Sequence, residues 1–302
     1  ESFVDPTPDG LGGAAFIAIP EDQGDLLVSG KTDNAIVAFE RDLGTGGLTH
    51  LASFFDGDSV LSGAGTLAML QPGQAVFSDD GVSLYVTATS SESLLAFSRI
   101  STTGELTYVN SYAGGGDLVG AIGLAISNDG LHVYVAAQTS DALVVFSRDP
   151  DTTDLTLVET LTTADQGGLD GVAGIAVSPD DLHLYVVSSV SSELLVFSRD
   201  ATTGTLTFLE THTAVDTPEL ATTVAIAVSP DGYHVFAGGN SGNGLAVFQR
   251  DPASGLLVGQ QVLTLTDVPD MNGPTVLAVS PEGDQVFLTA STGNALILFD
   301  RD

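Results

Sequence analysis

The sequence predicts an all-β protein, a six-bladed β-propeller of four-stranded antiparallel blades. Three observations predict it: a segment that recurs six times, strand-type alternation inside each copy, and chain ends that complement one another. The segment is clearest as "GIAVSPDDLHLYVVSSVSSELLVFSRD", residues 174–200. Copies without a gap occupy 16–42, 74–100, 123–149, 225–251 and 276–302. Their arginines, Arg41, Arg99, Arg148, Arg199, Arg250 and Arg301, lie 58, 49, 51, 51 and 51 residues apart. Self-similarity at about 50 residues is the mark of stacked supersecondary units.

Within a copy the elements follow in order. A short apolar run, Ile175 to Ser178, ends in a Ser-Pro-Asp turn, because Pro and Asp favour tight turns. An alternating run, His183 to Val187, is the second strand, and Leu194 to Arg199 the third. A Thr-Thr-Gly turn then leads to a fourth, "LTFLET" at 206–211, matched by "LTYVNS" at 106 and "LTLVET" at 155. These β-branched, glycine-punctuated runs lack the 3.6-residue period of a helix. Four short antiparallel strands per unit indicate a propeller blade. Blade cores fall at about 14–54, 72–112, 121–161, 172–212, 223–263 and 274–302, within a single domain spanning 1–302. The sixth copy stops after its third strand, and "ESF" at the start aligns with "ETL" at 159. Residues 1–5 are therefore expected to complete the last blade and cover its open edge. A chain beginning at Glu1 reads as one whose leader has been removed, or as a segment of a longer protein.

Composition narrows the partners. Seven Lys plus Arg stand against 39 Asp plus Glu, a formal net charge of −32. Such a surface repels nucleic acid and anionic lipid. No apolar stretch is long enough for a membrane helix. With no cysteine there are no disulfides, thiolate metal sites or thiol nucleophiles.

One arginine and one acid per blade occupy fixed repeat positions, the acids being Asp22, Asp80, Asp129, Asp180, Asp231 and Glu282. Both positions fall on one face, so six structural Arg–carboxylate pairs are expected there. His132, His183 and His234 share one repeat position, read as an exposed strand site, and His50 replaces an aromatic or leucine in a fourth strand. His212, read as lying in a connecting loop, is the one histidine left for acid–base work. The loops from fourth to first strands carry an apolar ring, Leu11, Met69, Leu118, Leu169, Leu220 and Met271, expected to pack between blades. Beside it stand Asp117, Asp170, Glu219, Asp270 and Asn272, hard oxygen donors suited to Ca²⁺ at a channel mouth. A solvated acidic rim is the alternative. No hydrolase elbow, zinc-protease, P-loop or complete dinucleotide motif is present, so no organic cofactor is expected.

The pattern "AVSPDGxHVY…LxVFxRDxxTGxLT" resembles the lactonase-like β-propellers related to 6-phosphogluconolactonase and to YVTN-type surface-protein repeats. The resemblance implies a propeller, and for the enzymes of that family seven blades with a non-repeat Arg, a His and a Glu in the funnel. This chain shows six copies and no arginine outside the repeat position; only Lys31 is left to meet an anionic substrate. From the regular blades and the shortage of catalytic residue types, the expected function is a non-catalytic extracellular or cell-surface module, Ca²⁺-stabilised, for binding or spacing. Its partner would be a protein or carbohydrate on one face. It would be secreted, surface-bound or periplasmic, and monomeric or part of a multidomain protein. The alternative expectation is a metal-assisted lactonase-like hydrolase, with Asp117, Asp170, Glu219, Asp270 and Asn272 holding the ion and His212 carrying a proton.

Overall fold

The computed structural model describes residues 10–58 and 66–301. It is a six-bladed β-propeller with almost no helix. Blade 1 is β1 (Ala14–Ala18), β2 (Asp25–Gly30), β3 (Ala35–Arg41) and β4 (Leu48–Phe55). Blade 2 is β5 (Pro72–Phe77), β6 (Ser83–Ala88), β7 (Ser93–Arg99) and β8 (Leu106–Ala113). Blade 3 is β9 (Ala121–Ile126), β10 (His132–Ala137), β11 (Ala142–Arg148) and β12 (Leu155–Thr162). Blade 4 is β13 (Val172–Val177), β14 (His183–Ser188), β15 (Glu193–Arg199) and β16 (Leu206–Thr213). Blade 5 is β17 (Thr223–Val228), β18 (His234–Gly239), β19 (Gly244–Arg250) and β20 (Leu257–Leu263). Blade 6 has three strands among the described residues, β21 (Pro274–Val279), β22 (Gln285–Ala290) and β23 (Ala295–Asp300). Strands neighbour one another in chain order. The expected completion of blade 6 by residues 1–5 lies outside the described residues.

The chain divides into two compact units, residues 1–140 with 144–157, and residues 141–143 with 158–302. In the first, blades 1 and 2 share a core of Ile36, Leu67, Met69, Leu84, Val86, Leu95 and Phe97. In the second, Val187, Leu194, Val196 and Leu220 pack against Val235, Ala237, Ala246 and Phe248 of the next blade. Met271 packs with Phe236, Leu245, Leu277 and Leu288. Second strands such as β6, β10 and β14 are buried at every residue. A sheet covered on both faces needs no polar alternation, so the second strand read as alternating, His183 to Val187, is in fact buried on both faces. A register shift recurs between third and fourth strands, as at Val196/Phe197 and Val247/Phe248. Such a bulge sharpens local twist.

Five of the six loop apolar positions, Met69, Leu118, Leu169, Leu220 and Met271, are fully buried, whereas Leu11 is half-buried. The turn from second to third strand places one residue per blade in the left-handed region, including Asn34 (φ 53°), Ser192 (φ 59°) and Asn243 (φ 51°). Asparagine tolerates that conformation better than most residues. Its side chain is then used across blades: Asn34 Oδ1 accepts the Gln71 N–H at 2.8 Å and Asn243 Oδ1 the Gly273 N–H at 3.0 Å.

Four of the six repeated arginines, Arg99, Arg148, Arg250 and Arg301, make side-chain bonds that run between blades. Arg250 has a fully buried side chain. It donates to both oxygens of Asp180 (2.7 and 2.9 Å), to the Tyr185 hydroxyl (2.6 Å) and to His183 Nδ1 (2.8 Å), all in blade 4. It also donates to the Gly232 carbonyl in its own blade. Arg99 likewise reaches Asp22 and Asp25, Arg148 reaches Asp80 and Ser83, and Arg301 reaches Asp231 and His234. Arg199 donates to the Asp181 carbonyl at 3.0 Å. Arg41 instead meets the Gln23 amide oxygen at 3.5 Å, and Glu282 is exposed. Each serine of the Ser-Pro-Asp turn holds its aspartate, as Ser178 Oγ does Asp180 at 2.5 Å.

The Arg301 clamp is incomplete among the described residues. Where blade 4 offers the Tyr185 hydroxyl, blade 5 has Phe236, and the buried Nε of Arg301 has no partner. Phe236→Tyr is therefore expected to raise stability by about 1 kcal/mol, the net worth of one intramolecular hydrogen bond. A thermal-unfolding midpoint that stays level or falls would refute the assignment.

Candidate functional site

The histidines expected to be exposed are not. His132 and His183 are buried, and His183 and His234 each accept through Nδ1 from the guanidinium of the next blade. Burial, and then the nearby Arg250 charge, hold His183 below the usual imidazole range. The neutral ring is the form that can accept a hydrogen bond. His50 is exposed, bonds Ser53 Oγ at 2.9 Å and stands edge-on to Phe39.

His212 lies in β16, not in a loop, paired with Leu194 across the sheet. Its ring rests on Phe248, centroids 4.9 Å apart, and Nε2 lies 3.1 Å from Glu210 Oε1. Glu210 is itself engaged, accepting the Leu257 N–H of the next blade at 2.6 Å. Glu159 does the same for Leu206 at 2.7 Å, and burial raises its pKa above the usual carboxylate value. These interblade carboxylates were missed in the sequence, although "VET" and "LET" repeat the glutamate at one fourth-strand position.

The acidic loop positions serve the frame through their main chain. The Ser140 hydroxyl donates to the Asp117 carbonyl at 2.7 Å, and the Asp170 carbonyl accepts Ser191 N–H at 3.0 Å. The Glu219 carbonyl approaches Gly239 so closely that a Cβ there would collide with it. The Asp270 carbonyl meets Gly293 in the same way. Asp165 and Asp267 cap turns, each taking the N–H and hydroxyl of a threonine three residues earlier, and this holds both carboxyls below their usual range. Among the described residues, no three His, Asp or Glu side chains gather closely enough to hold a metal ion. No chemical step is derived through an ion. Lys31 is exposed, with its main-chain N–H on the Gly13 carbonyl. No helix among the described residues is long and apolar enough to cross a membrane.

With these blades and clamps in view, comparison with known proteins defines the class. The sequence matches the family described as "Lactonase, 7-bladed beta-propeller" over residues 63–169 and 170–302. The chain belongs to that lactonase family, with six blades in place of the seven of its description. Among solved structures it is similar to a candidate 6-phosphogluconolactonase of Bacteroides uniformis, at 18% identity and TM-score 0.75, covering all of this chain and 83% of that one. It is also similar to the periplasmic gluconolactonase of Pseudomonas aeruginosa, at 20% identity and TM-score 0.75, covering 96% and 81%. A candidate 6-phosphogluconolactonase of Bacteroides fragilis gives 17%, 0.75, 96% and 80%. At these identities the structures establish the fold. No curated protein sequence matches the chain.

The family match corrects the expected function. A shortage of catalytic residue types and a regular frame pointed to a non-catalytic binding or spacer module. Membership of the lactonase family across residues 63–302 favours the hydrolase instead. The misreading has a physical source: the repeat positions carry structural chemistry and hold no information about activity.

Proposed function

We propose that this chain is a lactonase-like hydrolase acting on an uncharged lactone. The observation that carries the reading is the family match over most of the chain. Hydrolysis of a lactone requires a base to take a proton from water and a donor for the ring oxygen as the C–O bond breaks. A chain with 39 acidic side chains has abundant carboxylate for the first task.

Charge selects the substrate class. Among the basic side chains, five arginines are bound into the frame, Arg41 meets Gln23, and Lys31 is the exposed one. A net charge of −32 repels a phosphorylated sugar lactone and disfavours its approach. It equally assists release of the carboxylate product. The expected result is a kcat/KM for glucono-1,5-lactone at least about tenfold above that for its 6-phosphate, since 1.4 kcal/mol of discrimination suffices for that ratio. Initial rates in a pH-stat, corrected for spontaneous opening, check this. Preference for the phosphorylated lactone would overturn the substrate assignment.

A further inference from the structure

Blades 2 and 3 are packed differently toward their outer strands. In blade 2 the Phe97 ring meets two others edge-on, Phe54 of blade 1 and Tyr108 of its own fourth strand, each 5.5 Å away. In blade 3 the equivalent ring, Phe146, meets Tyr112 of blade 2 at 6.0 Å. The residue at the place of Tyr108 is Leu157, a shorter side chain, and it is 53% exposed against 3% for Tyr108.

A cleft of about 500 Å³ opens here, within the first unit. Small-molecule sites occupy about 300–1,000 Å³ and combine apolar walls with a few polar groups. Tyr112, Phe146 and Leu157 are among its walls, and Ser111, Gly115 and Asp117 border it. The Tyr112 wall is held in place, because its hydroxyl donates to Asp154 Oδ1 at 2.9 Å and accepts the Leu155 N–H at 2.7 Å. Asp117 is anchored through its main chain. Its N–H donates to the Gly114 carbonyl at 3.0 Å, and its carbonyl accepts the Ser140 hydroxyl at 2.7 Å. Gly115 and Gly116 make the turn between, with φ of 63° and 111°, which glycine adopts without strain. A turn without side chains also lets a ligand approach the main chain closely.

We propose that this cleft is the lactone site, with Asp117 as its catalytic base and an alkyl- or aryl-substituted lactone as its substrate. The proposal rests on the hydrolase reading given above. The apolar substituent lies along Leu157 and Tyr112, and the lactone carbonyl faces the glycine turn. The Asp117 carboxylate takes one proton from a water molecule as the water oxygen bonds to the carbonyl carbon. The ring C–O bond then breaks, its electron pair stays on the ring oxygen, and Asp117 returns the proton there. The product is a hydroxy acid, which ionises to its carboxylate.

The test follows hydrolysis of δ-decalactone, an uncharged alkyl lactone, by the whole chain in a pH-stat. Asp117→Asn keeps the shape and removes the base, so kcat should fall at least about a hundredfold with KM little changed. Leu157→Asp, at an exposed position, puts a charge on the apolar wall and should raise KM at least about tenfold. It serves if circular dichroism shows Asp117→Asn misfolded. The lactam analogue, with N–H in place of the ring oxygen, should bind the parent and shift the NMR signals of Tyr112 and Leu157. Hydrolysis that survives both substitutions, or lactam shifts confined to other residues, would overturn the site and leave the hydrolase reading intact. A parent chain that hydrolyses no lactone would overturn that reading, and this proposal with it.

Discussion

Replacing Arg250 by methionine is expected to cost about 3–5 kcal/mol, the usual penalty for removing one partner of a buried ion pair. The guanidinium is fully buried and joins blade 4 to blade 5 through Asp180, Tyr185 and His183. Methionine fills much of the volume, but leaves the Asp180 carboxylate and the Tyr185 hydroxyl short of a donor. Burial pushes the Tyr185 hydroxyl up to about 12 even beside that guanidinium, so it is neutral and donates to the Gly255 carbonyl while accepting from Arg250. Arg41→Met is the matched control. That residue occupies the same repeat position but meets only a distant amide oxygen at 3.5 Å, and its loss should cost under about 1 kcal/mol. Thermal midpoints of the two variants check the contrast. Equal shifts would mean that the interblade clamp is not what stabilises the seam.

Acid should loosen the same seams in two stages. The pKa of His183 is lowered in the fold by burial and by Arg250. The unfolded chain therefore binds the proton first, so stability is complete above about pH 6.5, the unfolded value, and declines as pH falls below it. The groups facing this ring are Arg250, Asp180 and Asp251. A second, steeper loss belongs to the aspartates. Burial works to raise Asp22, Asp80, Asp180 and Asp231, but hydrogen bonds from arginine, serine and the backbone outweigh it and lower all four. Asp231 reaches about 2. Their contribution is intact above about pH 4 and is lost as pH drops through the folded values. His183→Gln, the residue that blade 6 carries as Gln285, keeps an acceptor and removes the proton site. It should flatten the stability curve between about pH 6.5 and 5 while leaving the lower stage unchanged. A curve identical to the parent's would contradict the role given to His183.

The blades were legible because each must solve the same packing problem. Ser178, Asp180, His183, Tyr185 and Arg199 recur in kind at fixed offsets, so strands, turns and the structural arginines could be read in advance. The direction of the clamp could not. Repeat position fixes the face of a blade on which Arg250 emerges, but only the fold shows that it reaches back to Asp180. Burial of His183 was hidden for the same reason, since its partner lies 67 residues away. His212 was misplaced because a β-strand that runs past its repeat motif leaves no mark in composition. The main-chain contacts of the acidic loops were hidden too: the carbonyls of Glu219 and Asp270 lie against Gly239 and Gly293, which no side-chain pattern announces. Activity was the least legible. The residues that recur build the frame, and the family match alone overturned the non-catalytic reading.

The most direct measurement is turnover of glucono-1,5-lactone in a pH-stat near pH 6, with the purified chain at several concentrations. The account predicts saturable hydrolysis above the spontaneous rate, proportional to protein and abolished by heat denaturation. A rate no greater than background with this lactone, its 6-phosphate and a simple aliphatic lactone would contradict it.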